Sequence, residues 1–455
     1  MARYRVMITG KGYEAMADLV RRYRIGVARH TISKRGDDLY RIQAHASGPQ
    51  ITTLTRAGYD VRRIEDVDQA GKRRQAEARA AAAKMTAATV GVTPLSRYRT
   101  VTEVESALAA AAAPPHTPFA ELITLPEQTW EKRRCHAIKI GKDDGAQRVG
   151  VYILGGVHAR EWGSPDICMH FIEQVTEAFR TNTGLTFGGK TFSAAKIQQL
   201  VDEKDIYVFP QANPDGRFYS MTKDAMWRKN RRPAPAAKPK CMGVDINRNY
   251  DFLWNYPRYF DPTAPIQNSL EPCSDVYIGP SPFSEPETRN AAWMFEAFPG
   301  IKYFIDVHSY SEDILYNWGD DVNQTTDPKM SFQNQAYDRK RGIATDTTYK
   351  EYMAAPDKRA IIKLAKRMQA AIAAVRGRVY TVEQSLSLYP TAGTSDDYAF
   401  SRFITDKTKS KVYSYTIEWG SQNNSTPFHP PYPEMRNIIA EVTAGLLEFC
   451  LRAGT

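Results

Sequence analysis

No run of about eighteen apolar residues, the minimum for a membrane-spanning helix, occurs in the chain, so neither a spanning helix nor a membrane partner is expected. The N-terminal residues MARYRVMITGKGYE lack the long apolar core of a secretory signal; the protein reads either as cytoplasmic or as separated from its leader. Cysteine is scarce. The five, Cys135, Cys168, Cys241, Cys273 and Cys450, form no Cys-x-x-Cys pair, which argues against a zinc ribbon or a thioredoxin-type site. One disulfide with three buried thiols, or five free thiols, both remain open. No groove-reading motif and no interleaving of aromatic with basic residues is present, so nucleic acid is not an expected partner. Internal repeats are absent, as are low-complexity tracts beyond runs of alanine.

The composition that remains, 42% hydrophobic and 25% charged, is ordinary for a soluble globular protein. At 455 residues the chain exceeds what one core usually encloses, so two or more domains are expected. The net charge of +10 is unevenly placed: residues 1–94 carry 18 Lys+Arg against 9 Asp+Glu, leaving +1 for the other 361 residues. A solvated basic surface on the N-terminal part accounts for it. Residues 3–9 alternate like a strand, Tyr13 to Tyr23 have helical spacing, and Leu39 to Ala44, Gly48 to Ala57 and Tyr59 to Ile64 continue as strand, helix and strand. This predicts a small α+β domain over residues 1–66. From residue 67 to 93 the chain becomes rich in Ala, Arg, Lys and Gln, an exposed helical connector in which Lys72, Arg73, Arg74, Arg79 and Lys84 offer cuts to a protease of tryptic specificity or form a charged helix face.

From residue 94 to 455 strands alternate with helices, predicting an α/β domain with a mixed, mostly parallel twisted sheet flanked by helices. Thr100 to Ala112 is helical. Arg134 to Lys139 and Val149 to Leu154 are strands, and a long helix follows with Ser164 as its cap and Pro165 in its first turn. Asp205 to Phe209 is a strand ending in the turn Asn213-Pro214-Asp215-Gly216; Ser284 to Phe298 and Ile361 to Val375 are helices; Ile301 to Val307 and Val412 to Ile417 are strands.

The stretch VGVYILGGVHAREW, Val149 to Trp162, is a buried strand with polar side chains spilling from its end. In open α/β sheets ligands sit outside the carboxyl ends of strands, so His158 and Glu161 are candidate metal ligands; taken alone, the pair reads more readily as a loop histidine capping the following helix. His30 and His45 lie in the small N-terminal unit, His116 and His429 beside prolines, and His136 and His170 inside a strand and a helix. His308 repeats the geometry of His158 by ending an apolar strand. Two strand-end histidines and one glutamate make a His₂Glu zinc set with an open fourth position. Glu418 ends a third strand, in YTIEW, where a base is needed to take a proton from a water whose pKa zinc has brought towards 7.

With these residues in view, the chain from about Thr93 onwards resembles the zinc metallocarboxypeptidases of the carboxypeptidase A/B family. HAREW resembles the segment with the first two zinc ligands, His158 and Glu161, and HSY, His308 to Tyr310, the segment with the third; YTIEW resembles the segment with the general base, Glu418. WRKNR implies Arg228 as the arginine that polarises the scissile carbonyl, and DINRNY implies Asn247 and Arg248 as the clamp on a substrate's terminal carboxylate. LYPTAGTSDDY implies Tyr389 as a tyrosine that closes on substrate, and places Asp396 where the basic-residue-specific B type has an acidic pocket floor. A broad pocket with Asp396 turned outwards is the alternative. Arg160 and Tyr310 are further substrate-binding candidates.

The resemblance also implies a Cys241–Cys273 disulfide, and with it an extracytoplasmic, secreted protein. It implies that residues 1–66 are an inhibitory pro-region. The expected protein is thus a monomeric enzyme with one zinc ion per chain, hydrolysing the last peptide bond of peptide or protein C-termini after cleavage by an activating protease. A related zinc amidase acting on peptidoglycan stem peptides is the nearest alternative, and a non-catalytic binding protein the more distant one. Two polar insertions, around Asp320 to Lys358 and at Lys407 to Lys411, depart from the animal enzymes.

Overall fold

The computed structural model describes residues 2–23, 25–83 and 96–455; Lys84 and the end of the connector lie outside them. The N-terminal unit comprises β1 (Arg3–Lys11), α1 (Tyr13–Arg21), β2 (Gly26–Arg35), β3 (Leu39–Ser47), α2 (Gly48–Arg56) and β4 (Asp60–Asp66). Its antiparallel sheet has the order β2-β3-β1-β4. Alternation decides the faces: Val6 and Ile8 of β1, with Ile42, Ala44 and Ala46 of β3, pack with Leu19 and Leu54 of the two helices in one core, leaving Arg5 and His45 on the opposite face. A capping box starts α2, with Gln50 N donating to Ser47 Oγ and Ser47 N to Gln50 Oε1. Strand β2, GVARHTISKR, is an addition to the sequence expectation; its mostly polar residues suit an edge strand and carry no period-2 apolar signal.

Helix α3 (Val67–Ala83) follows directly. The connector was expected to lack a buried face, and it has one: Val67, Ala70 and Gln75 are buried, and Gln75 Nε2 donates to Ser220 O at 2.8 Å. Small residues make this face, so no apolar stripe betrays it. Gly71 lies so close that an added Cβ would stand 2.5 Å from Ala225 Cβ.

The remainder holds α4 (Val101–Ala111), β5 (Ala120–Thr124), β6 (His136–Ile140), β7 (Val149–Gly155), α5 (Gly163–Thr181), β8 (Leu185–Phe187), β9 (Lys190–Phe192), α6 (Ala194–Glu203), β10 (Lys204–Phe209), α7 (Pro214–Thr222), α8 (Tyr256–Tyr259), α9 (Pro286–Ala297), β11 (Ile301–His308), β12 (Asp313–Tyr316), β13 (Asn323–Gln324), β14 (Glu351–Tyr352), α10 (Ala355–Arg376), β15 (Thr381–Gln384), α11 (Ser395–Thr405), β16 (Tyr413–Glu418) and α12 (Tyr432–Arg452). Eight strands form one mixed sheet in the order β15-β12-β16-β11-β7-β10-β6-β5. Its centre, β16-β11-β7-β10, is parallel; β6 and β12 flank it antiparallel.

Both faces of the central strands are covered, as parallel sheets require. Val151 and Ile153 of β7 join one apolar cluster, Tyr152 and Leu154 the other. Two local expectations change. Asn213-Pro214-Asp215-Gly216 is the start of α7 rather than a free turn: Asn213 Oδ1 accepts from Gly216 N at 2.9 Å and proline occupies the first helical turn. Ser164 lies inside α5, which begins at Gly163, and its Oγ accepts from Trp419 Nε1 at 2.9 Å instead of capping the helix.

Gly71→Leu is expected to lever α3 away from Ala225 without disturbing either sheet. Trypsin should then cleave at the exposed Lys72 and Arg73 faster than in wild type, with far-ultraviolet dichroism unchanged; an unchanged cleavage rate would show that this face does not hold α3 down.

Candidate metal centre and substrate cleft

Three adjacent parallel strands deliver their C-terminal residues to one crevice. β11 ends in His308 and β16 in Glu418, in-register neighbours whose side chains share a face. After β7 the chain turns at Gly156, whose φ is +67° and where a Cβ would lie 3.1 Å from Pro210 O and Gln211 Cα; only glycine suits that turn, which carries His158 and Glu161 towards His308.

There His158 Nδ1 lies 2.8 Å from Glu161 Oε1, His308 Nδ1 lies 3.2 Å from Glu161 Oε2, and the two Nδ1 atoms face each other at 3.0 Å. The outer nitrogens meet carboxylates: His158 Nε2 lies 3.1 Å from Asp245 Oδ1, and His308 Nε2 lies 2.9 Å from Asp306 Oδ2. The second contact is at ion-pair distance without full hydrogen-bond alignment. An imidazole whose Nε2–H serves a carboxylate has a lone pair at Nδ1. Two such lone pairs and a carboxylate converging in a buried space repel one another unless a cation sits among them. His158, Glu161 and His308 are the one group of three potential ligands that meets metal-binding distances among the described residues.

The electrostatics favour a cation too. Burial works against charge on His308, yet Asp306 and Glu161 hold its pKa well above the ordinary histidine value. Burial also works against the Glu161 and Asp245 carboxylates, but the histidines and, for Asp245, chiefly Arg228 pull both well below theirs. Burial, then Arg228, lowers His158. Glu418, half-buried at the rim, is pushed by burial up to about 8, with His308 pulling it down and Glu161 pushing it further up. A bound dication would favour its ionised form.

A cavity of about 1310 Å³ opens from this cluster and is lined by His158, Arg160, Glu161, Arg228, Asn247, Arg248, Tyr310, Tyr389, Asp396 and Glu418. Arg228 gives Nε and Nη2 to Asp245 Oδ2 at 3.0 and 2.9 Å, leaving Nη1 for another acceptor. Asn247 is oriented from both ends. Its backbone N donates to Asp245 Oδ1 at 3.1 Å and its Oδ1 accepts from Ser395 N at 2.8 Å, so its Nδ2 is the group left to meet a ligand. Arg248 spends Nε and Nη1 on the carbonyls of Gln267 and Asn247, and its guanidinium lies 5.9 Å from the Tyr389 ring. Asp396 is 3% exposed and faces the cavity, accepting from Ser385 Oγ at 3.2 Å and Asp397 N at 3.0 Å. Cys241 and Cys273 are bridged, and the other three cysteines are buried free thiols.

The N-terminal unit forms the opposite wall. His45 packs against Tyr310 and Phe428 with ring centroids 6.4 and 5.6 Å away, and Val67, Met226, Tyr310 and Phe428 form a separate apolar cluster. Arg160 stacks its guanidinium 4.1 Å from the Phe428 ring and lies 3.7 Å from Asp275. Glu65 accepts from Ser425 Oγ and Thr426 N, and Arg5 donates to Gln422 O. Thus Tyr310 and Arg160 meet the roof as well as the cleft.

Two residues with evident roles were not singled out in the sequence. Asp245 stood inside DINRNY without an assignment. Asp306 lies within the otherwise apolar strand IKYFIDV, and an aspartate there is itself a signal, because a charge in a central strand needs a partner.

The sequence model of zinc carboxypeptidases matches residues 110–445. The chain belongs to the zinc carboxypeptidase family. Family membership implies zinc, and the donor chemistry of the candidate group His158, Glu161 and His308 fits that ion. Among curated relatives, carboxypeptidase B of Astacus astacus is 30% identical over 313 residues, 68% of this chain and 82% of that protein. Mast cell carboxypeptidase A of Rattus norvegicus is 34% identical over 225 residues, 49% of this chain and 47% of that protein. Carboxypeptidase B of Rattus norvegicus is 31% identical over 292 residues, 64% and 56% respectively. The chain thus spans about half the length of these mammalian relatives. Among solved structures, carboxypeptidase A from Helicoverpa armigera superposes with TM-score 0.73 at 20% identity, over 99% of this chain and 98% of that one. Thrombin activatable fibrinolysis inhibitor superposes with TM-score 0.70 at 21% identity, over 100% and 99%. Both share the fold.

Zinc should raise the thermal midpoint of metal-free protein, since a ligand that binds only the folded state at about 1,000 times its Kd adds about 4 kcal/mol. His308→Ala should abolish the zinc-dependent rise. A rise that survives the substitution would place the ion elsewhere.

Proposed function

We propose that the protein is a zinc-dependent carboxypeptidase that hydrolyses the last peptide bond of peptides and proteins and prefers C-terminal Lys or Arg. The observation that carries this reading is the meeting, in one cavity, of the metal ligands with Glu418, Arg228, Asn247 and Arg248. Zinc, when bound, supplies a Lewis acid and lowers the pKa of water. Glu418, at the end of β16 beside His308, takes the proton of the attacking water and later delivers it to the leaving amine. Arg228, held by Asp245 with Nη1 free, donates to the oxyanion as it develops.

Recognition of a chain end falls to Asn247 Nδ2 and Arg248, with Tyr389 closing over them; a planar guanidinium grips a free carboxylate in a way no internal peptide bond can match. Asp396 at the pocket floor favours a cationic side chain, because leaving its buried carboxylate unpaired against an apolar residue is unfavourable. Arg160 and Tyr310 would contact substrate once the roof is removed.

Residues 1–66 act as a pro-region in this reading. The unit has its own sheet and core, it lines the cleft through Ile25, Val27 and His45 and is tied to the far side by Glu65 on Ser425 and Thr426, and the family model begins only at residue 110. The connector, residues 67–93, is the place for an activating protease. The disulfide supports an extracytoplasmic location. A site complete within one chain supports action as a monomer.

A release assay on peptides differing only in their last residue, run before and after limited trypsin, tests this reading. Trypsin should increase the rate at least several-fold, with Lys and Arg released fastest. Glu418→Gln should keep its zinc and lose turnover by at least 100-fold, within the usual worth of a general base. Asp396→Ile should shift preference to apolar residues. No release from any C-terminus would defeat the proposal, and an unchanged profile in Asp396→Ile would move the specificity determinant elsewhere.

A further inference from the structure

Asp306 is a charge in an expensive place. It lies in β11, third from the end of a central strand, wholly buried and on the same face as Phe304 and His308. An apolar residue there would join the surrounding cluster at no desolvation cost, whereas a buried carboxylate carries a penalty of several kcal/mol unless it is paired. No Lys or Arg forms an ion pair with it among the described residues; its one charged contact is His308 Nε2 at 2.9 Å. Oδ1 has no hydrogen-bond partner. Its charge is therefore compensated mainly through the imidazole, and so by whatever cation that imidazole holds.

The same carboxylate reaches in a second direction. Oδ2 accepts from Ser395 Oγ at 2.6 Å, and Ser395 N donates to Asn247 Oδ1 at 2.8 Å. Ser395 opens α11 and is followed by Asp396. His158 has a parallel arrangement, since Asp245 contacts its Nε2 and also receives the backbone N of Asn247. Two routes thus run from the two histidine ligands, each through one carboxylate, and both end on Asn247.

We infer that Asp306 is a positioning residue, which fixes the His308 ring with Nδ1 towards the metal and, through Ser395, keeps it in register with Asn247 and Asp396. The inference rests on the zinc carboxypeptidase reading. A carboxylate on the outer nitrogen of a ligating histidine sets its tautomer and raises its basicity, and losing such a partner weakens metal binding 10- to 100-fold. The Ser395 link adds a second consequence: disturbing it moves the substrate side of the site without removing a metal ligand.

The test uses the full chain with Asp306→Asn, Asp306→Val and Ser395→Ala. Zinc affinity is measured by competition with a chromophoric chelator, and ligand geometry by the visible spectrum of the cobalt(II)-substituted protein. Both Asp306 variants should bind zinc about 10-fold or more weakly, with a shifted cobalt band. Ser395→Ala should raise KM more than it lowers kcat. Wild-type zinc affinity and an unchanged cobalt band in whichever Asp306 variant folds would overturn the inference. Wild-type protein that binds no zinc would overturn the underlying metal site instead.

Discussion

Two imidazole nitrogens facing each other at 3.0 Å, with a glutamate between them, set the constraint on which the rest of this molecule depends. Neutral rings with outward N–H groups cannot hold that arrangement without a cation, and one shared proton satisfies only part of it. The wider surroundings press the same way. Glu161, Asp245 and Asp306 are buried around the two histidines and Glu418 stands at the rim, while Arg228 is the guanidinium that pairs with the cluster. A dication brings this cluster close to charge balance, which is why a fold otherwise built on apolar strands tolerates so many acids at their ends.

The sheet supplies the precision. β7, β11 and β16 are adjacent and parallel, so their carboxyl ends lie side by side; ladder geometry fixes His308 against Glu418, and the turn at Gly156 after β7 brings His158 and Glu161 to them. Loops then bring the groups that meet a substrate: Arg228, Asn247 and Arg248 from the long segment between α7 and α9, and Tyr389 from the approach to α11. Asp245 and Asp306 tie the two sets together. The N-terminal unit closes the far side with a seam of aromatic stacking and a few charged contacts. Burial, then the cations Arg160, Arg5 and Arg3, push the His45 imidazole in that seam down to about 3, so it is neutral there at ordinary pH.

Much of the site was legible because its residues break a strong local pattern. His158, His308 and Glu418 each end a run of β-branched or aromatic residues, and polar ends on buried strands demand a reason. Other features carry no such contrast. β2 is a polar edge strand, the docked face of α3 is made of Ala70, Gly71 and Gln75, and α12 buries most of its circumference against α5 and α10, so none of them shows an apolar stripe or alternation. The Asn213 cap looked like a turn because both use the same residue types for the same hydrogen bond. Asp245 and Asp306 acquire their roles only from partners 87 and 2 positions away, His158 and His308, and neither pairing shows in the chain alone.

The cleft's chemistry depends on zinc held through the Nδ1 atoms of His158 and His308 and the carboxylate of Glu161. X-ray absorption at the zinc edge of the purified protein, compared with His158→Ala and His308→Ala, measures this directly. The predicted result is one zinc per chain with two imidazole nitrogens and carboxylate or water oxygens at about 2.0–2.2 Å, and loss of the bound zinc in each variant. A zinc-free native protein, or a zinc environment unchanged by both substitutions, would contradict it.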